Sequence, residues 1–126
     1  MWLGTVFQLT PPSVPSGAWT ASAIYSFTGV DGDGSTPLAS VIVGENGVLY
    51  RTTQGGGSGG LGTVFKLAPP ATSGGPWTET VLHSFTGQDG DGSKPVAALV
   101  LSSGVLYGTT SKGGTAEKGA VFAVAP

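Results

Sequence analysis

The sequence predicts an all-β protein, on three observations. Glycine (23 of 126 residues) and proline (9) are frequent and charged residues make up only 10%, a composition of short strands joined by turns rather than of helices or disorder. β-Branched and aromatic residues fall in short bursts between the glycines, as suits a pleated, half-buried surface. The chain also repeats itself. "GTVFQL" at 4–9 returns as "GTVFKL" at 62–67 and as "GAVFAV" at 119–124, offsets of 58 and 57 residues. The match continues through Trp19-Thr20 and Trp77-Thr78, through Ser26-Phe27-Thr28-Gly29 and Ser84-Phe85-Thr86-Gly87, and through "VLYRTT" (48–53) and "VLYGTT" (105–110). Residues 1–126 are therefore expected to form a single repeat module, with units at 4–61 and 62–118 and a partial third unit at 119–126. The one-residue difference in offset falls where "GENG" (44–47) faces "SSG" (102–104), a place where a turn absorbs it.

Each unit holds four strand-like bursts, in the first Thr5 to Thr10, Ala21 to Phe27, Ala39 to Val43 and Val48 to Thr53. The first is a β-branched and aromatic run. The second alternates, so that Ala23, Tyr25 and Phe27 share one side, answered by Val81, His83 and Phe85. The third, "ASVIV" or "AALVL", is apolar throughout, as expected of a strand buried on both faces. Gly44-Glu45-Asn46-Gly47 joins it to the fourth, and Asn-Gly between apolar runs is the strongest short-range hairpin signal. Four short antiparallel strands repeated at this period read as blades of a β-propeller, with solenoids and a closed barrel as weaker alternatives.

The segments "GTVFKLAPP", "WTETVLHSFTG", "DGDGSKPVAALVL" and "GVLYGTTSKGG" resemble the GloVer-type tandem repeats of long bacterial and archaeal proteins. The resemblance spans essentially the whole chain. It implies a repeat of propeller type, an extracellular or cell-surface location, and no established biochemical activity to carry over. The chain departs from the pattern at Arg51, which stands where the second unit has Gly108, and in holding two units where members of the family carry several.

Two blades in isolation would leave two large apolar faces in water. The expected fold is therefore two four-stranded antiparallel blades per chain plus one extra strand, the ring being completed by homo-oligomerisation. Three, four or five chains close such a ring, with four favoured. In blade order "ASVIV" is innermost, "VLYRTT" second, "GTVFKL" third and "WTETVLHSF" outermost. The chain begins and ends on a third strand, which gives nine strands for eight places. One copy of that strand, Thr5 to Thr10 or Gly119 to Val124, must be displaced or exchanged between chains.

"TGVDGDGSTP" (28–37) returns as "TGQDGDGSKP" (86–95). Asp31, Asp33 and Ser35, and their counterparts Asp89, Asp91 and Ser93, alternate with glycine, so three oxygen-bearing side chains could converge on calcium. The preferred reading is a turn needed once per blade, because the full EF-hand pattern is absent and Asp and Gly accept turn geometry. No other cofactor is expected.

Catalysis finds no foothold, and the chain reads as a non-enzyme. The single histidine, His83, has Tyr25 as its counterpart, which suits a half-buried planar side chain; no Ser, His and acid set is apparent. "GGGSGG" (55–60) lacks the lysine and helix of a phosphate cradle and reads as a flexible loop. Trp19 and Trp77, with Tyr50 and Tyr107, recur once per unit; packing between units is the preferred reading, and stacking on a glycan, which makes a lectin-like propeller the alternative function, is the second. Five scattered basic residues and a net charge of −2 argue against nucleic acid. No apolar run approaches a membrane span, and Met1 opening directly into Trp2-Leu3-Gly4, without a basic and apolar stretch, leads to the expectation of no signal peptide. The absence of cysteine excludes disulfides.

Overall fold

A computed structural model describes residues 3–126; Met1 and Trp2, part of the stretch read as having no leader, lie outside the described residues. The strands are β1 (Thr5–Thr10), β2 (Thr20–Ser26), β3 (Gly34–Ser35), β4 (Ile42–Val43), β5 (Leu49–Thr53), β6 (Gly55–Gly56), β7 (Thr63–Ala68), β8 (Thr78–Ser84), β9 (Gly92–Pro95), β10 (Val100–Ser102), β11 (Val105–Gly113) and β12 (Val121–Val124). The one helical turn among the described residues is a 3-10 turn at Glu45–Gly47.

One sheet is complete. It runs β4-β5-β7-β8, antiparallel throughout, in the order expected of the four bursts. On one side of it stands the pair β1-β2, and on the other β10-β11-β12. By the repeat, β1-β2 corresponds to β7-β8, and β10-β11-β12 to β4-β5-β7. The flanking sheets are partial copies of the central one, lacking its first two strands in one case and its last in the other.

The β4-β5 hairpin closes as Asn-Gly requires, with Asn46 (φ 54°) and Gly47 (φ 73°) both left-handed; Ser103 (φ 49°) and Gly104 (φ 76°) do the same between β10 and β11. Elsewhere the backbone departs from simple alternation. Val6 pairs with Tyr25 but Phe7 pairs with Ala23, so Ile24 is an extra residue; Leu82 is its counterpart between His83 and Val81. This bulge turns Ile24 towards the core beside Tyr25 and Phe27, so Ala23, expected on the packed side, is exposed. The third burst is also shorter than expected. As an edge strand it pairs on one side only, and it divides its side chains between the two cores: Val41 and Ile42 pack into different clusters while Val43 is exposed.

"GGGSGG" is not a flexible loop. Gly55 and Gly56 pair with Ser35 and Gly34, and Gly57 and Gly62 donate N–H bonds to Asp33 and Gly56 carbonyls at 2.8 and 3.0 Å. Only glycine fits here, since a Cβ on Gly56 (φ 72°) would strike the Asp33 carbonyl, and one on Gly34 would strike Thr53. The second unit repeats the ladder, with Gly92 and Ser93 opposite Gly113 and Lys112.

Two apolar clusters join the three sheets. Val6 and Phe27 from the β1-β2 side meet Phe65 and Leu67 of β7, with Ile24, Leu49 and Trp77 packed around them. Val64, from the opposite face of β7, and Phe85 meet Leu99 and Leu106, with Tyr50, Phe122 and Val124 around them. Edge-to-face rings run through both, Phe27 to Phe65 at 5.2 Å and Phe85 to Phe122 at 5.0 Å. The central sheet is thus covered on both faces.

Candidate functional site

The recurring Asp-Gly-Asp-Gly-Ser loop is built around its second aspartate. Asp33 accepts hydrogen bonds from the Thr28 N–H (2.6 Å), the Thr28 hydroxyl (2.8 Å) and the Gly34 N–H (2.7 Å). Asp91 repeats the set with Thr86 (2.8 and 3.1 Å) and Gly92 (2.9 Å). The first aspartates, Asp31 (φ 54°) and Asp89 (φ 51°), sit in the left-handed region at the turn, and Ser35 and Ser93 are buried in the short ladders. Among the described residues no group of three or more histidine or acidic side chains is placed to hold a metal ion. The second carboxylate of each loop accepts from the loop's own donors, as in an Asp-centred turn.

A planar side chain from the preceding strand closes each loop. The Tyr25 hydroxyl stands near enough to Asp33 to feel its carboxylate, and His83 Nε2 lies 3.2 Å from both carboxylate oxygens of Asp91. Each ring also packs edge-on against the next aromatic, Tyr25 on Phe27 at 5.1 Å and His83 on Phe85 at 4.8 Å. Spacing gave no hint of this pairing, though the exchange of Tyr25 for His83 at equivalent positions is its trace. Burial works to raise the pKa of Asp91, but the bonds from Thr86 and His83 outweigh it and hold it below the ordinary carboxylate value. Its contribution to stability is therefore present above the unfolded pKa and is lost as pH falls through the native one. Asp91→Ala should cost about 2 kcal/mol in urea unfolding, because it strands several donors at once. The melting temperature should be the same in calcium and in chelator.

Glu79 is a feature the sequence did not single out. It lies on β8, and its Oε1 is buried without a hydrogen-bond partner. Burial, with the Asp33 charge, pushes its pKa up to about 7. Burial also raises the Tyr25 hydroxyl to about 12, helped by the charges of Glu79 and Asp33. An acid raised in the native state takes up protons on folding, so stability falls as pH rises from the unfolded value of 4.5 to about 7 and then levels. Glu79→Gln should thus stabilise the chain by about 1 kcal/mol at about pH 8, screening by solvent being allowed for, and do little at about pH 4.

The four aromatic candidates do not share a site. Trp77 is half-buried in the first cluster and Tyr50 in the second, while Trp19 and Tyr107 are exposed. Trp77 lines a cavity of about 580 Å³ with Gln8, Ser22 and Ser73, and beside it an apolar one of about 300 Å³ with Val6, Phe7, Val41 and Leu49. Tyr107 lines a separate hollow with Val100 and Val121. Arg51, the departure from the repeat, reaches Pro37 and donates to its carbonyl at 2.8 Å; at Gly108 that space is filled by the Phe122 ring.

Equivalent residues differ sharply in exposure. Val64 is fully buried whereas Val121 is 80% exposed; Phe65 and Leu67 are 1% and 0% exposed, whereas Phe7 and Leu9 are 62% and 54%. Residues 2–126 match the model of one protein family, described as the Gloeobacter/Verrucomicrobia repeat. The chain belongs to that family. No curated protein and no solved structure matches it. In this Gloeobacter/Verrucomicrobia repeat, the recurring strand is therefore covered on both faces in β7, but on one face only in β1, where Phe7 and Leu9 are open, and in β12, where Val121 is open. None of the described helical structure is long and apolar enough to cross a membrane.

Proposed function

We propose that this chain is a non-enzymatic interaction module, a partial β-propeller whose open faces are covered by further copies of itself in a closed ring. The exposure of repeat-equivalent residues carries this reading. Phe7, Leu9 and Trp19 lie open on the β1-β2 side, yet their counterparts Phe65, Leu67 and Trp77 pack against the sheet before them. Val100, Tyr107 and Val121 lie open at the other end, yet Ile42, Tyr50 and Val64 pack against the sheet after them. Each open face thus has, inside the same chain, a worked example of the surface that covers it. That surface is the one standing open at the opposite end.

Such a contact is heterologous, and it closes when the rotation per chain divides a full turn. With two blades per chain, four chains give eight blades, and three or five give six or ten. No observation favours glycan binding, because the recurring aromatics are split between two cores and two exposed faces. Light scattering of the chain should give one species at three, four or five chain masses, four being expected. A folded single chain at all concentrations would overturn the ring.

A further inference from the structure

A ring poses a choice, since β1 and β12 are copies of the same strand and the sheet shared between two chains has one place for it. We propose that β1 of a second copy takes that place and displaces β12, so that the β1-β2 hairpin arrives as a unit and completes β10-β11 to four strands. This rests on the ring reading above.

Four observations point to β1. First, it is the closer copy of the strand in the complete sheet: "GTVFQL" agrees with "GTVFKL" at five of six positions, "GAVFAV" at three. Second, one of those differences leaves a hydroxyl without its counterpart. In the complete sheet Thr53 and Thr63 share a buried hydroxyl contact of 2.7 Å, and the Thr63 N–H donates to Thr53 at 3.1 Å. At the terminal sheet Ala120 keeps only the N–H bond to Thr110, at 3.0 Å, having no hydroxyl to offer. Thr5, exposed on β1, carries the missing group.

Third, Leu67 is wholly buried in the complete sheet, where β12 offers the smaller Val124 and β1 offers Leu9. Fourth, β12 brings no fourth strand, so its outer edge is unpaired, whereas β1 is already paired along six residues with β2. Exchange also settles the faces. Phe7 and Leu9 would replace Phe122 and Val124 against Val64 and Phe85, and Val100 and Tyr107 of the first copy would enter the 300 Å³ apolar cavity beside Val41 and Leu49 of the second. β12 is then a placeholder that covers half of the apolar face until the hairpin arrives.

The chain has no cysteine, so engineered pairs report cleanly. Tyr50 pairs with Lys66, and the equivalent pair after exchange is Tyr107 with Gln8 of the second copy. Lys66 pairs with Thr80, and the equivalent pair if β12 stays and β1 is displaced is Ala123 with Ser22 of the second copy. We expect full-length Gln8→Cys/Tyr107→Cys to form interchain disulfides at the wild-type ring mass, and Ser22→Cys/Ala123→Cys to form none. The reverse pattern, or an assembled protein bridged by neither pair, overturns the exchange and leaves the ring standing. A wild-type chain that stays single overturns the ring itself. As an independent measure, Ala120→Thr/Val124→Leu gives β12 the residues of the complete sheet and should weaken assembly roughly tenfold. Unchanged or tighter assembly would count against displacement of β12.

Discussion

Phe65→Ala is expected to destabilise the chain by about 3–5 kcal/mol, the range for emptying a buried aromatic site. Phe65 is wholly enclosed, its ring edge-on to Phe27, and it joins β7 to the β1-β2 pair. Small domains hold only about 5–15 kcal/mol in all, so much of the chain should be unfolded well below ordinary melting temperatures. Urea unfolding followed by circular dichroism measures the loss. The informative comparison is Phe7→Ala, the same residue one unit earlier. In dilute solution, where the single chain dominates, its ring is exposed and its removal should change stability by less than about 1 kcal/mol. A loss from Phe7→Ala as large as that from Phe65→Ala would mean that the first sheet is covered in the isolated chain.

Much of the fold was legible because the chain writes it twice. The repeat placed four strands per unit in the order later seen in β4-β5-β7-β8, and Asn46-Gly47 marked the hairpin between the first two. Less could be read where the backbone breaks period. The extra residues Ile24 and Leu82 look like ordinary members of an alternating strand, and only pairing across the sheet exposes the bulge. "GGGSGG" reads as flexible because glycine has no side chain to declare a partner. Its order comes from backbone bonds to the distant Asp33 loop.

The candidate site was legible only in part for a related reason. Asp33 and Asp91 were singled out, and their alternation with glycine allowed either a cation or a turn; the donors they accept from, Thr28 and Thr86, lie five residues earlier in the same quoted segment. The meeting of Asp33 and Glu79 could not be read at all, since these residues are 46 positions apart and become neighbours only when the β1-β2 pair packs on the central sheet. Recurrence identified Trp19, Trp77, Tyr50 and Tyr107 as important. It favoured packing between units, but could not say that Trp77 and Tyr50 pack within the chain while Trp19 and Tyr107 stand exposed.

Val100→Asp should reduce the solution mass from that of the ring to that of one chain, while leaving the fold intact. Val100 lies on the edge strand β10 and is exposed in the single chain, so a carboxylate there stays in water and unfolding should shift by about 0.5 kcal/mol or less. In the ring the same side chain would be buried, as Ile42 is against the second cluster, facing the apolar cavity of Val41, Leu49 and Trp77, with Arg51 on the same face of β5 already donating to the Pro37 carbonyl. An unpaired carboxylate in an apolar contact costs several kcal/mol, and about 4 kcal/mol per interface weakens association roughly a thousandfold. The effect does not depend on whether β1 or β12 fills the shared sheet, because β10 belongs to it in either case. Val30→Asp is the matching control: Val30 is just as exposed, but its counterpart is Gln88, a residue with no reason to be covered. Light scattering should find the ring intact in Val30→Asp and dissolved in Val100→Asp. A ring that survives Val100→Asp would leave that face in water and remove the reason for proposing that further copies cover it.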